Sequence, residues 1–195
     1  MQSVPSLLSS HSFHLRIVYS QSTFKSKESL PLKSDTLWKI ESGVVRSLTW
    51  DAEGRTVTLG FWGKGDVVGH PLSRMNPYQV ECLTTVQISE FAPENSYLQH
   101  ALLVHAWKSE ELLKIIHQPS ISDRLFHLLL WLSEQFGKPV ISGTLLELRL
   151  THQDLADTIG STRVSVTRLL GQMQREGKIE RWQRNLILCV EASAQ

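Results

Sequence analysis

Apolar positions recur with different periods along the chain. From Phe24 to about Phe91 they come in short β-prone runs: LWKI, VVRSLTW, TVTLGFW, DVVG and VECLTTVQI. The segments ESG, DAEG, GKG and SRMNP separate these runs with turn-forming residues, a pattern that predicts about six to eight short strands in an antiparallel sandwich or roll. Asp51-Ala-Glu-Gly54 reads as a hairpin turn. Residues 94–118 then contain no Gly or Pro, and Leu98, Leu102, His105, Ser109, Leu112 and Ile116 recur at a 4-3-4-3-4 spacing. That spacing predicts one long helix with a coiled-coil seam, although an amphipathic helix lying over the roll has the same pattern. Pro119 ends it. Residues 121–137 predict a strongly apolar helix, and LLELRL predicts a strand running into Thr151.

Residues 151–175 change period again. Thr151 with Asp154 three residues on is a capping-box start, and Leu155, Ala156 and Ile159 form an apolar stripe. Gly160 predicts a stop in the left-handed region, with Ser161 or Thr162 capping the next helix. In that second helix Val166, Leu169, Leu170 and Met173 make one apolar face. Arg163, Val164, Thr167 and Arg168 fall on the opposite face. KIERWQRNLILCV (residues 178–190) predicts two strands around a turn at residues 183–185, a wing behind the second helix. A glycine-linked helix pair with arginines projecting from its second helix, followed by a wing, is the pattern of a DNA-reading winged helix-turn-helix.

Charge strengthens this reading. The whole chain carries a formal net charge of +1, yet Arg163, Arg168, Arg175, Lys178, Arg181 and Arg184 lie in residues 161–184 against only Glu176 and Glu180. Basic charge gathered on one helix and one wing fits a DNA backbone, whereas a nearly neutral whole argues against a nucleic-acid-coating protein. With 41% hydrophobic and 20% charged residues over 195 positions, the chain is expected to be globular, as one large domain or two small ones. No apolar run approaches the ~20 residues of a membrane span, and the N-terminus lacks a signal-peptide pattern, so a cytoplasmic protein without a membrane partner is expected. Residues 1 to about 20 read as a poorly ordered arm or an irregular first strand, with His11 and His14 solvated. Cys82 and Cys189 imply neither a disulfide framework nor a metal site, and Cys82 reads as an inward-facing strand residue.

GSTRVSVTRLLGQMQREGKI resembles the recognition segment of the Crp/Fnr family of bacterial transcription regulators. The resemblance is strongest to the cyanobacterial branch containing the global nitrogen regulator, with its similar STRVTVTRLL run, and extends more weakly from about Phe24 onward. The order of an ESG turn, a charged hairpin and F-x-x-G-D-x-x-G (Phe61, Gly65, Asp66, Gly69) is similar to the family's β-roll. The resemblance implies an α+β architecture: a roll-like sensor over 1–93, a linking and dimerisation helix over 94–119, and a winged helix-turn-helix over 120–195. It favours a homodimer held through Leu98, Leu102, His105, Leu112 and Ile116, with double-stranded DNA and RNA polymerase as further partners.

An effector pocket in that family would involve Gly69, His70, Arg74, Tyr78 and Cys82. His70-Pro71 stands where a cyclic-nucleotide site would need a glutamate, and no Arg-Ser pair follows, which argues against that ligand. An iron–sulfur cluster needs about four cysteines. Haem through His70 has no evident second ligand, and arginines for 2-oxoglutarate are not matched, so no cofactor is assigned.

The reading that emerges is a sequence-specific DNA-binding transcription regulator. A cupin-type metal enzyme would need a His-x-His cluster with a carboxylate that His70, His100 and His105 do not provide. A plain DNA module such as a replication initiator would have no need of the roll. Arg163, Val164, Thr167 and Arg168 are the expected base readers, and Gln153, Thr162, Ser165, Lys178 and Arg184 the expected phosphate contacts. In the cyclic-AMP receptor branch a glutamate stands where this chain has Val164. Valine cannot accept from cytosine but can pack on a thymine methyl. Together with the nitrogen-regulator resemblance, that implies a GTA…TAC-like palindrome rather than TGTGA…TCACA.

Overall fold

The computed structural model describes residues 21–91 and 95–189. The N-terminal arm expected over residues 1–20, with His11 and His14, lies outside them. Seven strands form the first half of the described chain: β1 (Gln21–Phe24), β2 (Leu37–Ser42), β3 (Val45–Trp50), β4 (Thr56–Trp62), β5 (Val67–Val68), β6 (Gln79–Cys82) and β7 (Val86–Phe91). They pair antiparallel in two sheets, ordered β1-β7-β2-β5 and β4-β3-β6. Trp38, Ile40, Val86 and Ile88 from the first sheet meet Val45, Trp62, Val80 and Cys82 from the second in one buried cluster. This is the expected roll.

The β-prone run VECLTTVQI holds two strands in different sheets. Leu83–Thr85 carries the chain across, with the Leu83 N–H donating to the Val44 carbonyl at 2.9 Å. The β2–β3 turn packs directly on this crossing: a Cβ on Gly43, at φ 87°, would stand 2.3 Å from the Thr85 carbonyl oxygen. Asp51 organises the β3–β4 hairpin by accepting from the backbone of Glu53 and Arg55 at 3.0 and 2.8 Å.

The second half comprises α1 (Asn95–Ile116), α2 (Ile121–Phe136), β8 (Lys138–Val140), β9 (Gly143–Leu146), α3 (His152–Ile159), α4 (Arg163–Arg175), β10 (Ile179–Trp182) and β11 (Asn185–Leu188). The strand expected from LLELRL ends at Leu146 and belongs to a hairpin with β8. The sheet order β10-β11-β9-β8 joins that hairpin to the wing. Leu112, Leu125, Leu128, Leu132, Leu155, Val166, Leu170 and Met173 form the helical core, and Val44, Phe61 and Leu83 of the roll enter the same cluster. The two halves therefore share apolar packing.

Helix α1 corrects the expected seam. Leu98 lies outside the residues whose side chains are described. Of the others, Leu102, at 49% exposure, and Ser109 face outward. The His105 ring stacks on Trp62 at 3.8 Å, and its Nε2 lies 2.6 Å from the Val67 carbonyl oxygen. Leu112 is buried, and Ile116 packs against the helical core. These three face their own chain because the roll and α2 take the side of α1 that the heptad spacing had assigned to a partner. Leu102, Leu103, Trp107 and Leu113 form the outward apolar set instead, each about half exposed.

Candidate nucleic-acid interface

The helix pair is built by local chemistry. At the start of α3 the Thr151 hydroxyl accepts from the Asp154 N–H at 3.0 Å, and the Asp154 carboxylate accepts from the Thr151 N–H at 2.7 Å, completing the capping box. Gly160, at φ 65° and ψ 49°, ends α3 in the left-handed region. Thr162 caps α4, its hydroxyl accepting from the Ser165 N–H at 3.2 Å. Val166, Leu169, Leu170 and Met173 are then buried. Burying that face turns Arg163, Val164, Thr167 and Arg168 outward together, with Val164 at 78% exposure. Among the described residues neither Arg163 nor Arg168 forms an ion pair. Two unneutralised guanidinium groups and an apolar side chain on one exposed face are suited to base edges in a groove.

The strands β10 and β11 form the wing, in register from Ile179 opposite Leu188 to Trp182 opposite Asn185. The turn residue Gln183 has φ 56°. Arg181, Trp182 and Arg184 are exposed there. Thr162 and Ser165 sit at the exposed N-terminal end of α4, and Gln153 donates to Asp157 at 2.6 Å on the outside of α3. Lys178 is half exposed: Glu176 meets it at 2.8 Å, and its ammonium lies 5.7 Å from the Phe126 ring centroid. Sequence reasoning passed over His152, whose ring meets Thr167, and gave Arg181 no contact. Nothing in a helix-start histidine marks it by spacing, since the meeting needs both helices in place.

The inner side of α3 is tied to the roll. Arg46 of β3, almost fully buried, donates to Glu81 at 2.8 Å and to Asp154 at 2.9 Å. Lys27 reaches the same two carboxylates at 3.3 and 3.2 Å. The Thr158 hydroxyl donates to the Asp154 carbonyl oxygen at 2.8 Å and accepts from that of Thr58 at 2.9 Å. Burial pushes the Asp154 carboxyl up, but the Thr151 N–H, the Arg46 guanidinium, the Thr151 hydroxyl and Lys27 together hold it below its usual 3.8. Asp154 thus serves twice, as helix cap and as anchor to the roll.

The five residues expected to form an effector pocket differ in burial. Cys82 is packed in the roll core, where burial pushes its thiol up to about 12. Tyr78 is buried too, its hydroxyl likewise pushed up to about 12 by burial, and its ring lies 5.5 Å from that of His70. Gly69 leads into the short turn that contains His70, and Arg74 is exposed on the loop beyond. A cavity of about 290 Å³ lies instead where Lys64–Val67 faces α1 at His100, Val104 and His105. None of the five residues lines it.

Residues 123–192 match the Crp-like helix-turn-helix domain family. The chain is 42% identical over 163 residues to the regulatory protein CysR of Synechococcus elongatus, covering 82% of this chain and 79% of that one. It is 31% identical over 120 residues to the global nitrogen regulator of a Nostoc species, covering 60% of this chain and 53% of that protein. Among solved structures, a CRP-family transcriptional regulator from Thermus thermophilus superposes with a TM-score of 0.75 at 23% identity, over 87% of this chain and 92% of that one. The likeness in fold therefore extends through the roll as well as the helix pair.

Proposed function

The chain belongs to the Crp/Fnr family of transcription regulators, and on that footing we propose that it reads a palindromic promoter site as a homodimer. It is a DNA-binding regulator rather than an enzyme. The division of labour follows the family: a sensor-like roll, a linking helix and a winged DNA-binding domain.

The observation that carries the reading is the outward face of α4. Arg163 and Arg168 read guanines, and Val164 and Thr167 read thymines between them. Gln153, Thr162, Ser165 and Arg184 position the backbone. Lys178 joins them on leaving Glu176. The outward set on α1, Leu102, Leu103, Trp107 and Leu113, is the apolar surface through which two copies would pair. Pairing would place two recognition helices ~34 Å apart, one turn of DNA. RNA polymerase would be the downstream partner, and the cytoplasm the place of action. No described helix is long and apolar enough to cross a membrane.

Selection of bound duplexes from a random pool, at a stated salt concentration, tests the whole reading. The expected product is a two-fold symmetric site with GTA and TAC half-sites. Enrichment of TGTGA…TCACA would overturn the role of Val164, and absence of any enriched sequence would overturn base reading altogether.

A further inference from the structure

The outward face of α4 contains one residue whose chemistry the base-reading account does not explain. Thr167 carries a hydroxyl, which can donate to or accept from any of the four bases and so specifies poorly. In this fold that hydroxyl is occupied twice. It donates to the Arg163 carbonyl oxygen at 2.8 Å, the i−4 bond of its own helix. Across the angle between the helices, His152 Nδ1 lies 2.7 Å from the same hydroxyl oxygen of Thr167. A hydroxyl has one proton, and here the carbonyl takes it. His152 must therefore be the donor in the second bond, which assigns the imidazole as the Nδ1–H tautomer.

Two bonds to one oxygen fix the side-chain rotamer, because Oγ1 and Cγ2 share the same carbon. Locking the oxygen locks the methyl. Val164 lies three residues earlier, where two side chains on a helix surface are neighbours. It is 78% exposed and Thr167 is exposed beside it. The groups facing His152 are cationic: Arg163 from α4 and Arg181 from β10. Burial first, then these two arginines, push the His152 imidazole below its usual 6.5. Neutral His152 still keeps its Nδ1 proton for Thr167.

We propose that His152 is a specificity-determining positioning residue, which occupies the Thr167 hydroxyl so that α4 presents a methyl strip, Val164 with Thr167, to thymine methyl groups. The inference rests on the base-reading role of α4 proposed above. It makes a distinction that the reading face alone does not: with His152 in place, Thr167 acts in the groove as an apolar residue.

The test uses the full-length protein and its selected site, with each thymine of a half-site replaced in turn by uracil, which removes only the methyl. The wild type should lose about fourfold in affinity for each methyl it contacts, the worth of one buried methyl group. His152→Ala should bring the loss at the Thr167 position to near onefold, while the loss at the Val164 position and the thermal melting midpoint stay close to wild type. His152→Asn, whose amide nitrogen stands near the place of Nδ1, should restore the fourfold ratio. If His152→Ala keeps full thymine–uracil discrimination, His152 does not position Thr167 and the proposal falls. If the wild type itself does not distinguish thymine from uracil, methyl reading falls, and with it this role of His152. If the wild type shows no preference among sequences at all, the reading of α4 falls first, which separates that failure from the others.

Discussion

Arginine appears on both sides of the helix pair with opposite consequences. Arg46, behind α3, is buried and bonded to Glu81 and Asp154, while Arg163 and Arg168, in front on α4, are exposed with no ion pair among the described residues. A guanidinium taken out of water is costly and stays only because carboxylates meet it. A guanidinium left in water without a carboxylate keeps its donors available for a ligand. The back of the helix pair therefore holds it in place and the front is left to read. Helix α1 repeats the contrast, with His105 and Leu112 turned in and Leu103 and Trp107 turned out.

The largest effect should come from the back. Asp154→Ala leaves Arg46 buried with one carboxylate fewer and removes half of the capping box. Breaking a buried pair from one side costs about 3–5 kcal/mol, measured by urea unfolding. A loss below about 1 kcal/mol would mean that the junction holds nothing and that the two sides do not differ as described. Acid should act on the same group. Folding lowers the Asp154 carboxyl, so its contribution is fully present above its ordinary 3.8 and fades as pH falls through the lower folded value. Asp154→Asn should remove this part of the acid dependence.

Next is the outward side of α1. Trp107→Glu puts a charge in the centre of the exposed apolar set and should weaken pairing by about 2 kcal/mol or more, the scale of an interface anchor. Light scattering across a dilution series reads this as a dimer-to-monomer shift at higher protein concentration. His105→Ala should instead lower stability, because that ring packs on Trp62 of its own chain. If both variants alter assembly alike, the inward and outward assignment of α1 is wrong.

The smallest of the three effects belongs to the reading side and should leave stability untouched. Arg168→Ala should lose about 1–3 kcal/mol of discrimination between the selected site and random DNA, while weak, salt-dependent binding survives. Equal weakening on both DNAs would make Arg168 a backbone contact. A fall in urea stability comparable to that of Asp154→Ala would erase the difference between back and front.

What the sequence by itself determined is local. The capping box at Thr151–Asp154, the left-handed Gly160, the apolar stripe of α4 and the two-strand wing are each written within a few neighbouring residues. The opposite face of α4 was therefore legible before any fold was known, and the GKG and DAEG corners announced a roll for the same reason. What only the tertiary structure decided needs residues far apart. Asp154 read as a cap and proved also to be an ion-pair partner of Arg46, 108 positions earlier. His152 had no visible task until α4 placed Thr167 against it. The heptad spacing on α1 could not tell a partner helix from the roll, because both demand the same periodicity, and packing against Trp62 and α2 settled which side turned inward. VECLTTVQI hid a crossing between two sheets, since β-prone residues continue through the turn. Periodicity names the face of an element; which neighbour covers that face depends on the whole chain.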